Sequence, residues 1–138
     1  MADEQLLLEI VTPEKLAFSD NVEDVTIPGS EGEFGVLTGH AALLAAVNFG
    51  ELHYSKNNKK TYYAIDMGYA EVTSNKVTIL VESAERADMI DKEETERAKE
   101  AAEQKLSRIS KDDPDYAKTK ITLEKAEKML KVAEKAYQ

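Results

Sequence analysis

The 138 residues carry 27 acidic and 18 basic side chains, a net charge of −9, with 42% apolar residues and a mean hydropathy of −0.48. That is enough chain for one core plus an appendage, but too acidic a surface for nucleic acid as the main partner, and no apolar run approaches the roughly 20 residues that a bilayer helix needs. The absence of cysteine excludes a disulfide, a zinc-thiolate site and a Cys nucleophile, and fits a reducing compartment. Met1-Ala2-Asp3-Glu4 is acidic and has no apolar h-region, so no secretory signal is expected.

The first part of the chain reads as strands. Leu6–Val11 is apolar and closed by Thr12-Pro13-Glu14; Leu16–Ser19 and Val22–Ile27 alternate. Pro28 to His40 holds four of the six glycines, a stretch of tight turns around the short strand Phe34-Gly35-Val36-Leu37. Glu31, Glu33 and His40 lie on or near its turn tips, where proteins place contacts with other molecules. Ala41–Val47 suits a strand or, through its alanines, a helical turn. Gly50–Tyr54 and Thr61–Ile65 flank a polar tip from Lys56 to Lys60, and Gly68–Val72 and Lys76–Val81 flank Thr73-Ser74-Asn75. Short strands at this spacing indicate an antiparallel sandwich or barrel.

Beyond residue 88 the composition changes to Ala, Glu, Lys and Leu, which places a domain boundary near Arg86–Met89: residues 1–87 as a β-domain and 88–138 as two helices. Asp91 suits an N-cap, with Glu93, Glu94 and Glu96 following at the positive end of the helix dipole. Ala98, Ala102, Leu106 and Ile109 make the apolar stripe of the first helix. Asp113 caps the second, Pro114 suits its first turn, and Leu123, Ala126, Leu130, Ala133 and Tyr137 repeat at three- and four-residue steps. The short connection predicts an antiparallel hairpin. Its seam is thin and alanine-rich, so at about 25 cal/mol per Å² it docks weakly, and it should leave its docked position at modest cost. Residues 1–88 carry 15 acids and 6 bases, hence −9, whereas residues 89–138 carry 12 of each. Within the hairpin Lys118, Lys125, Lys128 and Lys135 share a broad face opposite the stripe. Docking should leave them free, either as a solvated face or for an acidic partner.

Several chemistries fail on residue grounds. A glycosidase pair needs two carboxyls across a cleft, which Glu31 and Glu33 on one turn do not provide. The glycine-rich stretch lacks the lysine of a phosphate loop. His40 and His53 are too few for a zinc site, and no Gly-x-Ser-x-Gly nucleophile motif is present. Arg86 and Asp88, at the hinge, either lock the hairpin by an ion pair or form an ordinary surface pair. Tyr62, Tyr63 and Tyr69 suit a sandwich core or its face.

Val11-Thr12-Pro13-Glu14, the run from Pro28 to Leu37, Gly39-His40-Ala41, Ala64–Gly68, Val77 to Val81 and the acidic turn with its hairpin together resemble the epsilon subunit of bacterial and plastid F-type ATP synthases, along essentially the whole chain. The resemblance implies a β-sandwich of about ten short antiparallel strands followed by a helical hairpin. It implies a non-catalytic subunit of the rotary stalk, peripheral at the cytoplasmic face of the bacterial plasma membrane, with no cofactor and no metal. The implied partners are the gamma subunit, the c-ring, and the beta and alpha subunits. Glu31, Glu33 and His40 would face the c-ring, at the opposite functional end from the hairpin. The lysines Lys118, Lys125, Lys128 and Lys135 would meet the head when the hairpin extends and blocks rotation in the hydrolysis direction.

Some members of the family bind ATP through Ile/Leu-Asp-x-x-Arg-Ala at the start of the first helix, with further arginines in the hairpin. Ile90 and Asp91 match, but Glu94 stands where the arginine belongs, Arg97-Ala98 comes three residues later, and Lys125 and Met129 stand near the positions of the others. A carboxylate repels phosphate and removes a bidentate donor, so weak or absent ATP binding is expected. The alternatives are an ATP-sensing module held folded by nucleotide and an unrelated adaptor with a helical interaction hairpin.

Overall fold

A computed structural model describes residues 5–137, with side chains through Ala136. The acidic start at Met1–Glu4 and the Tyr137 side chain lie outside this description. Ten strands come first: β1 (Leu6–Val11), β2 (Leu16–Val22), β3 (Asp24–Gly29), β4 (Gly32–Leu37), β5 (Leu43–Val47), β6 (Gly50–Lys56), β7 (Lys59–Ile65), β8 (Gly68–Val72), β9 (Lys76–Val81) and β10 (Ala84–Arg86). The alternation that marks them in sequence is their burial pattern. Leu6, Leu8 and Ile10 of β1 and Val77, Ile79 and Val81 of β9 point inward, and their neighbours outward.

The strands form one sheet in the order β10-β7-β6-β3-β5-β8-β9-β1-β2, with β4 on β3. Its corner is β3, which pairs with β4 throughout, with β6 through Asp24–Thr26, and with β5 only at Gly29↔Val47. The sheet therefore folds over at Gly29 and encloses Leu8, Ile10, Val25, Ile27, Leu52, Ile65 and Ile79. The far edge closes where Phe18 of β2 stacks on Tyr54 of β6, with ring centroids 4.6 Å apart. One pair departs from the expected antiparallel pattern: β1 and β9 run parallel. No hairpin turn links them, so nothing in the local chain fixes their relative direction.

The alanine-rich segment resolves as strand, because Leu43–Val47 pairs residue for residue with β8. The tip at Asn57-Asn58 has positive φ at both residues (54° and 62°), the pattern of a tight two-residue hairpin turn. The break expected between Ser19 and Val22 lies at Glu23 instead, since β2 stays paired with β1 as far as Leu6↔Val22. Strand β10 gave no alternation signal; it is defined by its register against β7, Ala84↔Ile65 to Arg86↔Tyr63.

After a single helical turn at Ala87–Met89 come α1 (Lys92–Arg108) and α2 (Pro114–Glu134). The Asp91 carboxylate caps α1 by accepting from the Glu94 amide at 3.0 Å. Asp113 caps α2 through the Asp115 amide at 2.8 Å, with Pro114 at the first position. The inner side of α1 holds Thr95 and Ala102, with Leu106 and Ile109 half-buried; Ala98, expected in the stripe, is exposed. Thr95 takes the inward place because its hydroxyl donates to the Asp91 carbonyl at 2.8 Å.

Candidate functional site

The glycine-rich stretch is not one loop. Ser30-Glu31 is the two-residue turn between β3 and β4, closed by the pair Gly29↔Gly32. Gly32 has φ +124°, and a Cβ on Gly29 would lie 2.7 Å from the Gly32 carbonyl oxygen, so both positions need glycine. Glu31 and Glu33 are exposed at this end. His40 lies past the other end of β4, its Nδ1 2.7 Å from the Ala41 carbonyl oxygen. Six residues of strand at about 3.4 Å each separate the two ends by roughly 20 Å. The expected joint display of Glu31, Glu33 and His40 is thereby corrected to two separate surfaces, because the glycines between them sit within an extended strand.

The acidic end does not lie far from the hairpin. Glu33, Gly29, Asn48 and Phe49 line a groove of about 630 Å³ whose opposite wall is Lys128, Lys131 and Val132 of α2. In the docked state this end therefore also borders the hairpin, whatever partner each end meets.

The hairpin docks through α2. Val132 and Ala133, with Met129 and Ala136, pack on Ala64, Ala87, Ile90 and Tyr62. Three of the four singled-out lysines accompany them. Lys125 Nζ pairs with Asp66 Oδ2 at 3.2 Å and lies 5.5 Å from the centre of the Phe49 ring. Lys128 donates to the Phe49 carbonyl at 3.4 Å. Lys135 pairs with Glu51 and lies 5.3 Å from the centre of the Tyr62 ring. Glu51 also holds His53, through Oε2 at 3.1 Å from Nδ1. The expectation that docking frees these lysines fails for Lys125 and Lys135, which are part-buried in ion pairs; Lys128 makes one carbonyl contact but stays exposed, as does Lys118.

The reason is helical geometry. At 100° per residue, Leu123, Ala126 and Leu130 form one apolar side, which faces α1. Met129, Val132, Ala133 and Ala136 form a second side, shared with Lys125, Lys128 and Lys135, and this side meets the sandwich. Lys118 and the half-exposed Ile121 continue the same side towards the start of α2. The sandwich partners Glu51, Asp66 and Phe49 were not singled out from sequence. Their only signal there was acidity in the first part of the chain opposite basicity in the last helix.

Arg86 and Asp88 form a local fork, Nε–Oδ1 at 2.6 Å and Nη2–Oδ2 at 3.1 Å. The guanidinium holds the Asp88 carboxyl below its ordinary value, and the carboxylate raises Arg86. The fork joins residues two apart, so it does not lock the hairpin by bridging to α1 or α2. At the start of α1, Ile90 is buried in the docking cluster, Asp91 is engaged as a cap, and Arg97 is exposed. The adjacent cavity, about 490 Å³, is lined by Glu85, Asp91 and Glu94 against the single cation Lys125, and Arg97 is not among its walls. That charge balance disfavours a polyphosphate.

A further surface lies on the outer face of the other half-sheet. Ala46, Tyr69, Leu80, Val11 and Leu16 are successive cross-strand neighbours across β5, β8, β9, β1 and β2. Tyr69 is 58%, Leu80 49% and Leu16 55% exposed, and Leu44, two residues before Ala46, is 70% exposed. A continuous exposed apolar row of this kind marks a contact surface. Among the described residues no helix is long and apolar enough to cross a membrane, and no three acidic or histidine side chains gather as a metal site.

Known proteins agree with this architecture. The family model for the ATP synthase Delta/Epsilon chain β-sandwich domain matches residues 5–87, and that for its long α-helix domain matches residues 88–134. The ATP synthase epsilon chain of Nitratidesulfovibrio vulgaris (strain DP4) is 45% identical over 130 residues, covering 94% of this chain and 96% of the relative. That of Geobacter sulfurreducens is 44% identical over 133 residues, 96% of each. Among solved structures, a chain of the Euglena gracilis mitochondrial ATP synthase (OSCP/F1/c-ring, rotational state 1) superposes with a TM-score of 0.79 at 29% identity, over 91% of this chain and 79% of that one. A chain of the Tetrahymena thermophila central stalk/c-ring shares the fold, with a TM-score of 0.53 at 17% identity over 96% of each.

Proposed function

The chain belongs to the ATP synthase epsilon chains, and from that premise we propose that it is a non-catalytic rotor subunit that couples the gamma subunit to the c-ring and brakes ATP hydrolysis by extending its hairpin towards the alpha and beta subunits. The observation that carries the reading is the make-up of the docking contact. It consists of a few small apolar side chains and three lysines on carboxylate or carbonyl oxygen. Such a contact is reversible, and its lysines have an equivalent use on an acidic partner. Docked, Lys125, Lys128 and Lys135 are held by Asp66, Phe49 and Glu51; extended, the same cations would exchange these oxygens for carboxylates of the head. Lys118 is available in both states.

The apolar row from Ala46 to Leu16 supports gamma binding, since it is the exposed apolar surface on the half-sheet that the hairpin leaves uncovered. Glu31 and Glu33, at an exposed glycine-fixed tip, suit the polar loops of the ring; His40, about 20 Å away, meets a different part of the stalk. The membrane association is peripheral and comes through the complex, at its cytoplasmic face.

Reconstituted ATP synthase tests the proposal. Removing residues 89–138 should raise ATP hydrolysis several-fold while leaving assembly and proton-driven synthesis in place. Reversing Glu31 and Glu33 to lysine should reduce coupled synthesis with hydrolysis by the detached head unchanged. Unaltered hydrolysis on truncation removes the brake, and normal synthesis in the double reversal removes the ring contact.

A further inference from the structure

At the hinge, a cavity of about 260 Å³ opens between the edge of β7 and the last turn of the hairpin. Its charged walls are Lys59, Lys60, Arg86 and Lys135 against the single carboxylate Asp88. Four cations less one anion leave +3, in a chain whose net charge is −9. No other cavity described above has this sign: the one at the start of α1 is lined by three carboxylates, and the groove beside Glu33 mixes both charges.

Donor capacity remains after the internal bonds are counted. Arg86 gives Nε–H and one Nη2–H to Asp88, and a guanidinium has five N–H donors, so three remain. Lys135 engages Glu51 with one of its three. Lys59 and Lys60 make no ion pair among the described residues. Successive strand residues point to opposite faces, yet both lysines reach this cavity because it sits at the sheet edge. Strand β10 ends at Arg86↔Tyr63, so the edge of β7 from Lys59 to Tyr62 has no further strand beside it and lines the cavity. The tight turn at Asn57-Asn58 sets the backbone from which the two exposed lysines project.

The volume lies below the roughly 300 Å³ at which pockets begin to enclose organic ligands. We infer that this cavity binds a small inorganic oxyanion of the phosphate class, held by Lys59, Lys60 and Arg86 of the sandwich and by Lys135 of the hairpin. Tetrahedral oxyanions accept several charge-assisted bonds at once, which suits convergent lysine and arginine donors. Because the walls come from both domains, the complete site exists only in the docked state. Bound anion therefore favours docking by the factor 1 + [L]/Kd, about 11-fold at ten times Kd. The inference requires only the docked hairpin and is independent of its role as a brake.

The test uses the full chain with inorganic phosphate, and with chloride at equal ionic strength as the reference. Phosphorus NMR line broadening reads binding, and hydrogen exchange of the α2 amides reads docking. Saturable phosphate binding is expected, with α2 protection rising about 11-fold at ten times Kd. In the variant Lys59→Ala/Lys60→Ala, altered only at exposed positions of a hairpin tip, binding should weaken at least tenfold and the protection change should vanish. The variant also separates a site from the general stabilising effect of phosphate on folded proteins, which it would retain. Equal behaviour of phosphate and chloride, or equal binding by wild type and variant, overturns the inference.

Discussion

The sandwich and the hairpin of this chain are held together by different kinds of contact. Inside the sandwich Leu6, Leu8, Ile10, Val25, Ile27, Leu52, Ile65 and Ile79 are fully buried and branched or large. Between hairpin and sandwich, the buried set is Ala64, Ala87, Ile90, Val132 and Ala133, three of them alanine, supplemented by lysines at the rim. Apolar burial scales with area, so the first contact defines a permanent fold and the second an equilibrium. The β-domain thus rests on a large apolar core, and the hairpin is held to it by the smaller and weaker of the two contacts.

The largest way to break the comparison is in the core. Leu52→Ala should destabilise the sandwich by about 2–5 kcal/mol, read as a lower denaturant midpoint for the whole chain. Val132→Ala removes two methyl groups at about 0.8 kcal/mol each and should loosen docking about tenfold. It should leave the melting of the sandwich unchanged, with the loss visible only in α2 hydrogen exchange. If Val132→Ala lowers sandwich stability as much as Leu52→Ala does, the two contacts are of one kind and the comparison fails.

A smaller effect is expected at the rim. Lys135 is 36% exposed and Glu51 20%, so Lys135→Ala should weaken docking by less than ~1 kcal/mol. Raising the salt concentration should diminish that difference. Salt-independent loss would assign the contribution of Lys135 to its aliphatic stem on Tyr62 instead of its charge.

The smallest effect belongs to the hinge fork. Arg86 holds the Asp88 carboxyl below its ordinary value of 3.8, so whatever stability the pair contributes is present above that pH and is lost as pH falls through the lower value of the folded state. Stability curves of wild type and Arg86→Ala should run parallel from neutral pH to about pH 4 and converge below it. Convergence at higher pH would mean that the fork is not what lowers Asp88.

Much of this was legible in the chain itself, where one residue's neighbours lie along the sequence. The alternation of Leu6–Val11 and Lys76–Val81, the caps Asp91 and Asp113, and the break before Pro114 are local physics. Properties that depend on what the fold brings alongside are not carried by the sequence in this way. Met129, Val132 and Ala136 are too few and too small to register as a stripe beside Leu123, Ala126 and Leu130, so in sequence α2 shows one apolar side instead of two, and lysines on the second side look solvent-facing. Similarly, the glycines at 29, 32, 35 and 39 read as turns around a short strand at Phe34–Leu37, and nothing in them says that the strand begins at Gly32 and, paired along its length with β3, holds the two turns apart.

The parallel pairing of β1 with β9 also sets an order of events during synthesis. Strand β1 finds one neighbour soon after it is made, in β2, but its other neighbour is completed only at Val81. Closure of the core must therefore wait for nearly the whole β-domain, and such distant pairing slows folding. The hairpin, emerging after the β-domain, meets a surface already formed, so its docking follows closure of the core.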